Sequence, residues 1–145
     1  SCIHGYANGK RYWRLRCAVW FTQLGFPDKQ YTYPYIAQSP VTGKRIHFND
    51  VKDVEREVEN VLSQEGTKKF GVGQTLYYEM PFFSNPINHI SQWCWDMLED
   101  YKVATTYNAP IVRDLDSISV FRIDCFAIID EEIANVNRHK ADKNG

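Results

Sequence analysis

His89 stands four residues before Trp93, one turn away on a helix, and an imidazole held there has the chemistry of a general base. No Ser, Cys or carboxylate accompanies it at a motif spacing, so a catalytic partner would have to come from folding. The plainer expectation is a histidine that packs on a helix or faces solvent. Cys2 and His4, joined by Cys17 or His47, are the residue types of a tetrahedral zinc site, but no second closely spaced pair completes the set. Carboxylates cluster at Asp114 and Asp116, at Asp124, and at Asp130, Glu131 and Glu132. If they converged they would hold Mg²⁺ as a metal-dependent nuclease does; in a loop and at a strand end they read as solvated charge. The glycines of residues 66–75 suggest a phosphate loop. The Lys-Ser/Thr pair that should follow the second glycine is Val72-Gly73, and no helix N-terminus is expected behind it. No cofactor is expected, and the metal-dependent nuclease remains a third reading.

The constellation with most content lies in the first 64 residues. Trp13, Leu15, Cys17, Val19 and Phe21 alternate with Arg14, Arg16, Ala18 and Trp20, the pattern of a half-buried strand. Tyr31, Tyr33 and Tyr35 alternate on a second segment that Pro34 restricts to a sheet edge. Lys44 to Phe48 makes a third strand. The expected binding face is therefore Arg14, Arg16, Trp20, Lys44, Arg45 and Tyr33, with guanidinium groups for charge pairing and rings as anchors. Such a face suits a protein partner, since Tyr, Trp and Arg dominate interface energetics. It also suits nucleic acid, whose phosphates it would neutralise and whose bases it would stack.

These residues belong to a chain of 145 residues, 43% hydrophobic, 14% aromatic and 24% charged, the composition of one soluble domain with no stretch fit to span a membrane. Residues 1–12 lack the apolar segment of a signal peptide, and no N-glycosylation sequon occurs. The net charge of -1 conceals a split. Up to residue 48, seven basic residues face Asp28 alone, and the remainder is acidic. Halves of opposite sign suggest a basic contact face, internal pairing, or self-association. Cys17, Cys94 and Cys125 lie in apolar surroundings, as free thiols do in a reducing compartment, so cytoplasmic residence is expected.

The first helix follows the third strand. Val51, Val54, Val58, Val61 and Leu62 recur at helical spacing opposite a charged face, with Asn49 or Asp50 as N-cap and Gly66 as the stop. Leu76 to Phe83 reads as a strand with Leu76, Tyr78 and Met80 on one face. A second helix opens at Asn85-Pro86, runs through Ile87, Ile90, Cys94, Met97 or Leu98, and Tyr101, and ends near Lys102 to Thr106. At least one of Trp93 and Trp95 should point away from that stripe, toward a partner or under another segment. Ser117 to Asp130 alternates with both faces apolar, as a covered central strand would. The polar tail 134–145 should fray.

The predicted class is α+β: a single domain over 1–145 with a mostly antiparallel sheet, order β-β-β-α-β-α-β, and two amphipathic helices packed on it. Its basic part is 10–64 and its acidic β-α-β part 75–132. The phrase Phe48-Asn49-Asp50-Val51-Lys52-Asp53-Val54, leading from a third strand into a helix, resembles the three-strand-plus-helix DNA-binding domains of the plant AP2 type and of tyrosine-recombinase arms. That resemblance implies sheet-based DNA binding within 10–64 and carries no particular base-reading residue. The lead expectation is a non-enzymatic binding protein with a protein partner: an inhibitor, an adaptor, or a subunit of an assembly such as a phage particle. Nucleic-acid binding by the three-stranded sheet is the alternative.

Overall fold

Trp13, Leu15, Cys17, Ala18, Val19, Trp20 and Phe21 are all buried, and no strand could hide both of its faces so completely within a single small sheet. In the computed structural model, which describes residues 12–64, 70–107 and 117–144, they form a helix, α1 (Trp13–Leu24). The expected first strand is thus corrected. A helix covered on almost every side has no polar stripe, and its sequence carries no period that distinguishes 3.6 from 2. Gly25, at φ 101°, ends it, its N–H donating to the Phe21 carbonyl at 2.7 Å.

A two-stranded antiparallel hairpin follows, β1 (Tyr35–Gln38) and β2 (Arg45–Phe48), in the register Tyr35 to Phe48 and Gln38 to Arg45. Tyr35, Ala37, Ile46 and Phe48 share the inward face, while Ile36, Gln38, Arg45 and His47 share the exposed one. Next comes α2 (Val51–Leu62), as expected, with Asp50 as N-cap accepting from the Asp53 N–H at 3.2 Å. Asp53 accepts in turn from the Asn49 N–H at 2.8 Å, so one first-turn donor is satisfied and the incoming chain is tied to the helix.

The expected strand at 76–83 is a helix, α3 (Val72–Glu79), continued by a 3-10 turn (Met80–Phe82). Leu76 and Met80 are fully buried one helical turn apart, whereas Tyr78, which a strand would point with them, is 41% exposed. Asn85-Pro86 does cap a turn, Asn85 Oδ1 accepting from the Ile87 N–H at 3.1 Å. That turn is a short 3-10 segment (Pro86–His89); Ile90 breaks it, and α4 (Gln92–Thr106) starts afresh and stops where expected.

The largest correction concerns the last strand. Residues 117–144 form one helix of 28 residues, α5 (Ser117–Asn144). Cys125, Ile129, Glu132, Val136 and His139 are buried at spacings of three or four, and the tail continues the same face. Among the described residues the protein therefore has five α-helices and two strands, mostly helical instead of a sheet with two helices. Helix α1 lies at the centre, packed on α3, α4 and α5. At its crossing with α3, a Cβ on Gly73 would sit 2.5 Å from the Trp20 indole and 2.6 Å from Glu132 Oε2, so only glycine fits. No helix among the described residues is long and apolar enough to cross a membrane.

Candidate functional site

Because residues 13–24 coil, the expected basic face is not assembled. Arg14 pairs with Glu55 at 3.2 Å and lies 4.3 Å over the Trp13 ring. Arg16 pairs with Glu131 at 3.2 Å and with buried Glu132 at 3.3 Å. Trp20 is fully buried and its Nε1 donates to Glu132 Oε1 at 3.4 Å, which makes it a core residue and not a surface anchor. Lys44 and Arg45 are exposed at the hairpin. Tyr33, of the six, lines a cavity. The carboxylates at 131 and 132 are thereby consumed by Arg16, and Asp130 accepts from the Tyr101 hydroxyl. Asp114, Asp116, Cys2, His4 and residues 66–69 of the glycine-rich stretch, the Gly66 stop among them, lie outside the described residues; from Val72 the stretch belongs to α3, so a helix follows it where none was expected. No group of three or more potential metal ligands converges among those described. Trp93 packs on Phe121 and Tyr12, and Trp95 on Phe26, so both are covered by neighbouring segments.

The cavity that holds Tyr33 measures about 290 Å³ and is built by three stretches distant in sequence: Gln30 to Tyr35, Val51 at the start of α2, and Ser84 to His89. Asn85 joins the first to the third. It is 1% exposed, and its Nδ2 donates to the carbonyls of Pro27 and Lys29, each at 3.0 Å. Two phenols complete the tie: Tyr31 donates to the Pro81 carbonyl at 3.1 Å and Tyr35 to the Phe83 carbonyl at 2.7 Å. With both hydroxyls committed to backbone, these residues offer the cavity their rings. The rings continue a stack that begins in the core, Phe83 on Phe48 at 5.9 Å and Phe48 on Tyr35 at 5.1 Å. Tyr31 and Tyr33 close on Tyr35 at 4.7 and 5.5 Å.

At the cavity floor, Ser84 Oγ and His89 Nε2 are 2.7 Å apart, both buried. Folding thus supplies the partner that no motif spacing provided for His89. The chemistry of the pair depends on who donates. The Tyr35 hydroxyl donates to the Phe83 carbonyl, and burial, with Ser84 opposing it, pushes its phenol pKa up to about 12. Serine has one proton to give. With Nε2 protonated the imidazole donates to Ser84, and with Nδ1 protonated it accepts the serine proton. Burial, with the Arg14 charge adding to it and Glu55 opposing, lowers the His89 pKa to about 4, so the ring is neutral at pH 7.

Above the floor, Tyr33 is 37% exposed and sits in the field of α2. Burial raises its phenol pKa first, and the carboxylates of Asp50, Asp53 and Glu55 raise it further. Sequence reasoning registered the three alternating tyrosines but placed them on a strand face; nothing in the spacing of Ser84, Asn85 and His89 showed that they close a cavity over those rings. No protein-family model, curated protein or solved structure matches the chain.

Proposed function

We propose that this is a non-enzymatic binding protein that receives a protein partner at the tyrosine cavity and along the exposed face of the hairpin. The observation that carries the reading is the cavity itself, with three phenol rings at its wall and a neutral, hydrogen-bonded histidine at its floor. Rings fixed by backbone ties lose little freedom when a ligand binds, and preformed aromatic clefts with a few polar groups are where ligands concentrate. The neighbouring hairpin face adds Ile36, 45% exposed, and the charged Arg45, a mixture suited to a polar-rimmed interface. Cytoplasmic residence belongs to the same proposal; what supports it is that Cys17, Cys94 and Cys125 are free, buried thiols.

The test is selection of a random peptide library on the immobilised protein, with Tyr33→Ala as counter-target. Enrichment on the wild type that is lost on the variant is expected. Nucleic acid is the rival ligand, because Lys44 and Arg45 lie exposed on the hairpin that bears the rings. A mobility shift with single-stranded DNA or RNA that weakens with salt and with Arg45→Ala, together with no peptide enrichment, would favour it.

A further inference from the structure

We propose that the tyrosine cavity takes an alkylammonium group, the end of a lysine side chain or its methylated forms, presented by the partner. This rests on the cavity being the binding site. Ring faces attract cations through their quadrupole, most strongly where several rings meet away from bulk water. Here three rings lie within 5.5 Å of a neighbour, and two of their hydroxyls are turned onto the carbonyls of Pro81 and Phe83, so these residues bring their rings to a lining they share with the polar side chains of Gln30, Ser84, Asn88 and His89.

The chain's own chemistry already uses one of these faces. Lys29 Nζ stands 5.0 Å from the centroid of Tyr31. Val51, in the lining, stands between Asp50, whose carboxylate caps α2, and Lys52; the carboxylates of Asp50, Asp53 and Glu55 all act on the Tyr33 phenol, and of these Asp53 and Glu55 are countered by Arg56 and Arg14. The positive end of the α2 dipole, which would otherwise favour an anion, is covered by Asp50 and Asp53. His89 adds no positive charge at neutral pH. A cation entering beside Tyr33 therefore lies near the rings and within the field of the Asp50 carboxylate.

The experiment compares choline with 3,3-dimethylbutan-1-ol, which has the same shape and no charge, by following the ring protons of Tyr31, Tyr33 and Tyr35 in NMR titrations of the full chain. Choline is expected to shift these resonances with a Kd at least about tenfold lower than that of the alcohol. Tyr33→Leu, at an exposed position, should weaken choline by about tenfold, and Asp50→Asn, which keeps the cap, by a few-fold. Lys29→Ala should leave choline binding as tight or tighter, since it removes a competing cation. Equal affinity for the two probes overturns the charge assignment, and choline binding that ignores Tyr33 overturns the location. No ring shift with either probe overturns the ammonium proposal, while Tyr33-dependent peptides lacking lysine would overturn it with the binding reading intact.

Discussion

An imidazole shielded from water resists protonation, and His89, 7% exposed, has its pKa lowered from 6.5 to about 4. Unfolded, the same side chain takes up a proton near 6.5. Between these two values the unfolded chain holds more protons than the folded one, so acidification favours unfolding. The contribution is intact above about pH 6.5, falls as pH drops toward 4, and amounts to at most about 3 kcal/mol. Urea unfolding of the wild type and of His89→Gln at pH 7, 5.5 and 4.5 checks this. The wild type should lose more stability than the variant, since glutamine keeps a hydrogen-bonding amide for Ser84 without titrating; parallel losses would place the acid sensitivity in the carboxylates.

At the scale of elements, what was legible in the sequence is what is amphipathic. Helix α2 has charge on one side and valine on the other, so its existence and its start at Asn49 or Asp50 were readable, while its end at Leu62 comes before the Gly66 stop. The hairpin was readable from Pro34, Pro40 and Gly43. Helices α1, α3 and α5 were not: α1 is buried on almost every side, and in α5 apolar residues such as Val120 and Ile123 stand on the exposed face as well, so β-branched and aromatic residues mimic alternation. Tertiary burial overrides propensity there. The site suffered for it: an alternation read as a strand put Arg14, Arg16 and Trp20 on one face, whereas coiling sends them to Glu55, to Glu131 and Glu132, and to the core.

The element contacts predict two losses. Gly73→Ala should destabilise by about 1–3 kcal/mol, because the added methyl meets the Trp20 indole and the Glu132 carboxylate, neither able to move without leaving its partner. A melting temperature equal to that of the wild type would mean that α3 can slide on α1. Deleting residues 135–145 should cost at least about 1.5–3 kcal/mol, since Val136 is fully buried and His139 packs on Trp20 at 5.4 Å. A tail that merely frayed would be removed without effect on denaturant unfolding.

For the whole molecule, the charge split of the sequence is resolved in part by folding. Two of the N-terminal arginines find carboxylates of α2 and α5 within the same chain, so the basic region has less to offer a second copy than its sequence suggests. Sedimentation should accordingly give the same molecular weight at about 20 mM and about 500 mM salt, where screening lengths differ several-fold. A species that grows only at low salt would return self-association to the account.

The tyrosine cavity has walls from residues 30–35, 51 and 84–89, which meet only when the hairpin, α2 and the Asn85 tie are all in place. Its occupancy is therefore thermodynamically linked to folding. Any compound that fills it, whatever its chemistry, must raise the melting temperature, by roughly 2.7 kcal/mol of added stability at about a hundred times its Kd. Heat alone can thus rank candidate ligands before any partner is in hand, with Tyr33→Ala separating those that enter the cavity from those that bind elsewhere.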